Sequence, residues 1–327
     1  MIEGGRGIWR ALLNHGKSTG EPAVLTSSSH HLITSSSFLR PADLRQYRNL
    51  LFAARLVVEG FYAGKHRSPY HDYGAEFADY RPYVPGDEIR ALDWKAAART
   101  DRLYVKLFRK ETDMSGYLLV DRSASMGFTG DAGVAKFEYC AYLAAAIAYL
   151  MLKQGDRPGL ATCDETLRDY IAPGSTMPHL HRLLHGLERT TTGGQTNVAG
   201  SLRSLFPLAK RKGLLIVLSD LLEEPAELFG ALSMYLHRGF AVLLFHVLTE
   251  DELHLPKASV ARFTDPEGSG ALNVEPAAIR SAYQREIRAW LEALSGGAKA
   301  RGIHYRLLST STPYHEALRD YLTSRGR

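Results

Sequence analysis

The sequence predicts an α/β protein built on a doubly wound, mostly parallel sheet of six strands with helices on both faces. Two observations favour this fold class. From Gly116 onward, short apolar runs alternate with longer segments of helical periodicity, which is typical of strands joined by crossover helices. In addition, Tyr117–Val120 and Leu214–Leu218 contain no charged residue, as expected for strands that are buried on both faces.

Strands and helices are predicted to alternate along this region. The strands are predicted at residues 117–120, 157–162, 167–172, 214–219, 240–248 and 303–308. The helices are predicted at residues 134–153, 177–189, 198–211, 226–238, 276–294 and 313–321. Asp164 and Glu165 separate two short strands and are predicted to form a hairpin turn. The segment after residue 248 is predicted to be rich in loops.

The chain before this region has a different character. Residues 1–40 are polar and of low complexity, with runs of serine, so we expect a disordered or extended tail. From Pro41 onward, apolar residues recur at helical spacing, and Leu103–Phe108 alternates like a strand. The predicted organisation is therefore a tail (1–40), a smaller helical and β segment (41–114) and the α/β domain (115–327).

Polar residues follow two of the buried strands at the edge where a parallel sheet opens its ligand crevice. Asp121, Ser123 and Ser125 form an Asp-x-Ser-x-Ser motif directly after the first apolar run, and Asp220 follows a later one. Thr196 lies in a glycine-led turn before a predicted helix. Oxygen ligands of this kind suit a hard divalent cation such as Mg²⁺. If the two strands are neighbours, these five side chains converge on one metal site.

This set of residues resembles the metal-ion-dependent adhesion site (MIDAS) of von Willebrand factor A domains. In that family the hydroxyls of the first motif and the threonine bind the metal, and the aspartates act directly or through water. The resemblance implies metal ligation by Asp121, Ser123, Ser125, Thr196 and Asp220. It also implies a von Willebrand factor A-like fold and Mg²⁺ as the cofactor, with Mn²⁺ or Ca²⁺ as alternatives.

A second resemblance lies upstream. The stretch Gly74–Arg99, which contains Arg81-Pro82-Tyr83 and Pro85-Gly86-Asp87, is similar to the hallmark of the bacterial domain-of-unknown-function 58 family. Members of that family carry a von Willebrand A-like domain directly after this segment. The resemblance implies a non-enzymatic protein-interaction module that acts with a MoxR-type AAA+ ATPase in assembling or activating other proteins. A client protein would then offer an Asp or Glu to the metal.

Two other function classes stay open. A metal-dependent phosphatase-like hydrolase would use Asp121 as its nucleophile, but such chemistry needs a second acid two residues later, where this chain has Ser123. A nucleic-acid-binding protein is suggested by the net charge of +5 and the pI near 9.1. This excess is small for 327 residues and lies in short clusters, so we expect no nucleic-acid partner.

Composition also bears on location. Only two cysteines occur, and no apolar run is long enough for a membrane span. The first twenty residues lack the apolar stretch of a secretory signal. We therefore expect a soluble protein of the cytoplasm.

Overall fold

The computed structural model describes residues 40–47, 49–65, 80–83, 103–106, 114–130, 132–256, 261–264 and 271–325. The chain divides into two compact units, one formed by residues 65–113 and the other by the rest. The predicted tail up to residue 39 and the hallmark stretch Gly74–Arg99, apart from residues 80–83, lie outside the described residues.

The elements are numbered along the chain. The strands are β1 (Tyr80–Pro82), β2 (Tyr104–Lys106), β3 (Ser115–Asp121), β4 (Arg157–Cys163), β5 (Leu167–Ile171), β6 (Gly213–Ser219), β7 (Ala241–Leu248), β8 (Ala261–Thr264), β9 (Ala271–Val274) and β10 (His304–Ser309). The helices are α1 (Pro41–Leu44), α2 (Leu50–Lys65), α3 (Lys136–Lys153), α4 (Met177–Arg189), α5 (Val198–Leu205), α6 (Pro225–His237), α7 (Glu250–His254), α8 (Pro276–Ala300) and α9 (Tyr314–Arg325). A 3₁₀ turn follows β3 at Ala124–Gly127.

The larger unit is organised around a six-stranded sheet with the order β10-β7-β6-β3-β4-β5. All neighbouring strands are parallel except β4 and β5, which form an antiparallel pair. The predicted fold class, a doubly wound and mostly parallel six-stranded sheet, is therefore confirmed. In the smaller unit, β1 pairs with β2 in an antiparallel arrangement.

The central strand β3 is buried along its whole length because helices cover both faces of the sheet. Its side chains alternate between two hydrophobic cores. Leu118 and Val120 pack in the core formed with α2, α3, α4 and α9. Tyr117 and Leu119 pack in the core formed with α5, α6 and α8. A strand buried in this way accepts charge only at its end, which is where Asp121 stands.

Some predicted boundaries are wrong. Helix α5 ends at Leu205 and not at Arg211, because Pro207 has no backbone N–H to donate and so cannot continue the helical hydrogen-bond pattern. Helix α8 continues past Leu294 to Ala300, despite two consecutive glycines, because its later turns still bury apolar side chains such as Ala298.

The segment predicted to be rich in loops contains regular structure. Helix α7 follows β7 directly, with Thr249 and Glu252 forming a capping box at its start. Strands β8 and β9 pair in an antiparallel hairpin. These elements are too short to produce a clear periodicity in the sequence. Among the described residues, the helices are each too short or too polar to cross a membrane.

Candidate functional site

Two aspartates stand at the carboxyl edge of the sheet on adjacent strands. Strands β3 and β6 pair in parallel, with Val120 opposite Leu218, so their ends lie side by side. Asp121 is the last residue of β3, and Asp220 follows the last residue of β6. Both side chains are buried. The two carboxylates predicted from separate chain regions therefore meet at one edge of the sheet.

The Asp-x-Ser-x-Ser motif folds back on itself directly after β3. The backbone N–H of Ser123 donates to Asp121 Oδ1 at 2.8 Å, which fixes the start of the turn. The 3₁₀ turn then brings the hydroxyl of Ser125 to 3.1 Å from that of Ser123. Both serines are buried. The motif thus presents two hydroxyl oxygens side by side, next to the carboxylate that begins it.

Hydrogen bonds join this turn to the end of β6. The hydroxyl of Ser125 donates to Asp220 Oδ2 at 2.7 Å. In the opposite direction, the hydroxyl of Ser219 donates to Asp121 Oδ2 at 2.6 Å. Four of the five predicted site residues, together with Ser219, therefore belong to one hydrogen-bonded network.

Thr196, the fifth predicted residue, is carried by a loop that is bonded to the same turn. Gly193 N donates to Arg122 O at 2.9 Å, and Ala124 N donates to Gly194 O at 2.9 Å. Gly194 has a φ of +77°, a left-handed conformation that glycine adopts without steric cost. Thr196 follows two residues later and is buried. The loop that carries Thr196 is therefore bonded to the Asp-x-Ser-x-Ser turn.

One member of this network, a buried lysine, was not predicted from the sequence. Lys136, the first residue of α3, donates from Nζ to Asp220 Oδ2 at 2.7 Å and to Glu252 Oε1 at 2.5 Å. The side chains of all three residues are almost entirely inaccessible to solvent. A signal was available in the sequence, because Lys136 opens a helix that is otherwise apolar for most of its length.

The charges of this network do not balance. Three carboxylates (Asp121, Asp220 and Glu252) accompany one ammonium (Lys136), which leaves an excess of two negative charges in the network when all four are ionised. Burial and the neighbouring Asp220 raise the pKa of Asp121 to about 7. Burial alone would lower the pKa of Lys136, but Asp220 and Glu252 together raise it above its ordinary value. The ammonium therefore stays charged, whereas the Asp121 carboxyl is partly protonated near neutral pH.

The residues present fit a divalent cation. Asp220 Oδ1 is buried and accepts no hydrogen bond from any described residue. It belongs to the same carboxylate that the Ser125 hydroxyl contacts, so carboxylate and hydroxyl oxygens are close together. No three His, Cys, Asp or Glu side chains within the described ranges form a metal cage. A cation here would rely on hydroxyl oxygens as well as carboxylates, which suits a hard ion such as Mg²⁺.

The segment after Asp220 is strained and anchored. Leu221 has a φ of 51°, a left-handed conformation that is costly for a residue with a side chain, and its N–H donates to Ser219 Oγ at 2.9 Å. Two residues on, Glu223 Oε2 accepts from the N–H of Ala199 at 3.1 Å. Glu223 therefore ties the loop that carries Asp220 to the helix that follows Thr196. Neither residue was singled out from the sequence.

Glu223 gives a pH-dependent prediction, because burial raises its pKa to about 7 from an ordinary 4.5. The folded protein keeps this proton at pH values where the unfolded chain has lost it. The stability that the protonated form contributes is present below pH 4.5 and is lost as the pH rises through about 7. We expect Glu223→Gln to be about 1 kcal/mol more stable than wild type at pH 8 and no more stable at pH 5.

The measurement is urea unfolding at both pH values, with the exposed Glu59→Gln as the control. Glu59 is 54% exposed, so its replacement removes one carboxylate without changing a buried group. An equal difference between Glu223→Gln and wild type at pH 5 and pH 8 would contradict the assignment.

The chain matches the family model described as "Protein of unknown function DUF58" over residues 79–292. It is 25% identical over 286 residues to an uncharacterised protein of Mycobacterium tuberculosis, covering 86% of this chain and 89% of that protein. It is 38% identical over 119 residues to the uncharacterised protein YeaD of Bacillus subtilis, covering 36% of this chain and 28% of that protein.

Solved structures similar to this chain include BatB from Bacteroides thetaiotaomicron, with 12% identity and a TM-score of 0.45, covering 65% of this chain and all of that chain. Another is a von Willebrand factor type A protein from Catenulispora acidiphila, with 15% identity and a TM-score of 0.37, covering 68% of this chain and 43% of that chain.

Proposed function

This chain belongs to the DUF58 family and has a von Willebrand factor A-like fold, and from that premise we propose that it is a metal-dependent protein-interaction module. The observation that carries the proposal is the meeting of Asp121, Ser123, Ser125 and Asp220 in one buried network at the carboxyl edge of the sheet. Hydroxyl and carboxylate oxygens from separate regions of the chain have no need to converge for packing alone. Their convergence supports a shared ligand.

The residues that would hold Mg²⁺ are Asp121, Ser123, Ser125, Thr196 and Asp220, directly or through water. With all four groups ionised, the excess of two negative charges in the network equals the charge of one divalent cation, so binding would neutralise the site. Mn²⁺ and Ca²⁺ have the same preference for oxygen ligands and remain alternatives. The bound ion would supply one thing, a strong positive charge fixed at the edge of the sheet.

The partner in this proposal offers an Asp or Glu side chain. Magnesium takes about six ligands and usually keeps some water, so a carboxylate from another protein can replace a water. Such a contact is strong because both groups are charged, and it is specific because the geometry of the ion is strict. The client would be recognised through this acidic residue.

The second partner in this proposal is a MoxR-type AAA+ ATPase, as the family resemblance implies. This chain would then select or present a client while the ATPase supplies the work of assembly or activation. Cys140 and Cys163 are buried free thiols, which is consistent with a reducing compartment, and the cytoplasm is the location that we propose.

A non-enzymatic role agrees with the surroundings of Asp121. Both oxygens of its carboxylate already accept hydrogen bonds, from the backbone of Ser123 and from the hydroxyl of Ser219, and the side chain is buried. Each oxygen keeps a second lone pair that could face a small ion, but a nucleophile needs open access to a substrate, which this buried side chain lacks. The residue two positions later is Ser123, which cannot act as the general acid of a phosphatase. We therefore do not favour the hydrolase, and the modest net charge does not favour nucleic acid.

Surface plasmon resonance against a purified MoxR-type AAA+ ATPase from the same organism tests the proposal. We expect binding in Mg²⁺ that weakens by about tenfold or more with EDTA, and likewise for Asp121→Ala in Mg²⁺, because a carboxylate of the metal site is then missing. The exposed Glu59→Gln is the control and should bind like wild type. Equal binding with and without EDTA would contradict a metal-dependent contact.

A further inference from the structure

A lysine is an unexpected residue at the position of Lys136. It is buried, and it stands in the first turn of α3, where the helix dipole disfavours a positive charge. Burial of an ammonium is also costly unless carboxylates compensate it. Both compensating groups are present, since Nζ lies 2.7 Å from Asp220 Oδ2 and 2.5 Å from Glu252 Oε1. A core residue used only for packing would not need this arrangement.

Lys136 contacts the side of Asp220 that also receives the hydroxyl of Ser125. Asp220 Oδ2 therefore accepts two hydrogen bonds, whereas Oδ1 accepts none from the described residues. This division leaves one oxygen of the carboxylate for another ligand. It also places one fixed positive charge next to the oxygens that would bind the metal.

Glu252 determines how much of that positive charge Asp220 experiences. Its Oε1 shares the ammonium, while its Oε2 accepts from the backbone N–H of Thr249 at 2.7 Å and from the Thr249 hydroxyl at 3.0 Å. Tyr283 of α8 donates to the backbone carbonyl of Glu252. Thr249 thus holds the carboxylate of Glu252 towards Lys136, while Tyr283 holds its backbone.

We propose that Lys136 is a built-in cation that sets the metal affinity of the site, with Glu252 adjusting its effect in the opposite direction. This inference rests on the metal site of the proposed function. Lys136 repels an incoming divalent ion and occupies one of the two oxygens of the Asp220 carboxylate, so it keeps metal binding weak and reversible. Glu252 draws the ammonium charge away from Asp220 and so favours the metal.

The test is calorimetric titration of Mn²⁺ into wild type, Lys136→Met and Glu252→Gln. Methionine has a similar unbranched shape and no charge. We expect Lys136→Met to bind Mn²⁺ about tenfold or more tightly than wild type, because one positive charge beside the ion is removed. We expect Glu252→Gln to bind Mn²⁺ about tenfold more weakly, because no second carboxylate then offsets the positive charge of Lys136 beside the ion.

The matched controls are Arg55→Met and Glu59→Gln, which alter an exposed pair on α2 whose side chains lie 2.6 Å apart. They change the net charge of the protein by the same amounts, and both should keep the wild-type affinity. If Lys136→Met fails to fold, Glu252→Gln tests the proposal alone. Weaker Mn²⁺ binding by this variant would support the proposal, and unchanged or tighter binding would contradict it.

The outcomes separate this inference from the proposed function. Wild-type affinity in both variants would overturn the role of Lys136 and leave the metal site intact. Weaker binding by Lys136→Met would also overturn it, since the lysine would then be needed to build the site. Binding by Lys136→Met but not by wild type would support Lys136 as the cation of the site and overturn metal dependence of the natural chain. No binding by any variant would overturn both proposals.

Discussion

Asp121→Asn is expected to bind Mn²⁺ about 100-fold more weakly than wild type, which is the largest effect that the account predicts for the site. The substitution removes one negative charge and one oxygen from a network whose excess negative charge attracts the ion. The fold should survive, because asparagine can accept from the Ser123 N–H and donate to the Ser219 hydroxyl, the two groups that contact Asp121. Isothermal titration calorimetry measures the affinity directly.

Asp320→Asn is the matched control for this variant. The substitution is chemically the same but lies on α9, where the carboxylate of Asp320 pairs with Arg306 and its side chain is 32% exposed. This variant should retain the affinity of wild type. If Asp121→Asn also retained it, Asp121 would have no part in ligation, and the assignment of the site would be wrong.

Lys136→Met is expected to lower the free energy of unfolding by about 3–5 kcal/mol in the absence of metal. The variant leaves the carboxylates of Asp220 and Glu252 buried without the ammonium that now contacts both. Because neither group can reach water, the penalty cannot be relieved by solvation. Urea unfolding in EDTA, followed by circular dichroism, measures this loss.

Two further variants test the reason given for this prediction. Arg55→Met removes an exposed cation and should change the free energy of unfolding by less than about 0.5 kcal/mol. The double variant Lys136→Met with Glu252→Gln should recover part of the loss, because one uncompensated charge is gone. A loss below about 1 kcal/mol for Lys136→Met alone would show that the buried ion pair contributes little beyond packing.

The sheet could be predicted from the sequence because its central strands are buried on both faces. Runs such as Leu214–Leu218 contain only large apolar residues, and few other environments accept such a run. The position of Asp121 and Asp220 at strand ends followed from the same pattern. Their adjacency could not be read from the chain, since it depends on β3 and β6 being neighbours in the sheet.

The rest of the site depends on contacts between distant residues. Lys136 and Glu252 are 116 positions apart, and nothing near either residue in the sequence points to the other. The hydrogen bond from the Ala199 N–H to the Glu223 carboxylate likewise joins residues that are 24 positions apart. Local patterns report periodicity, turns and caps, whereas a buried ion pair becomes visible only when the fold brings its members together. The sequence does indicate that Lys136 is unusual, because it is a charged residue at the start of a mostly apolar helix.

The central claim is that one divalent ion binds among Asp121, Ser123, Ser125, Thr196 and Asp220 while Lys136 contacts the other oxygen of the Asp220 carboxylate. Diffraction data collected at the manganese absorption edge from crystals grown with Mn²⁺ test this claim most directly. The account predicts one anomalous peak bounded by the two serine hydroxyls and Asp220, with Lys136 still paired to Glu252. No peak at this position under saturating Mn²⁺ would contradict it.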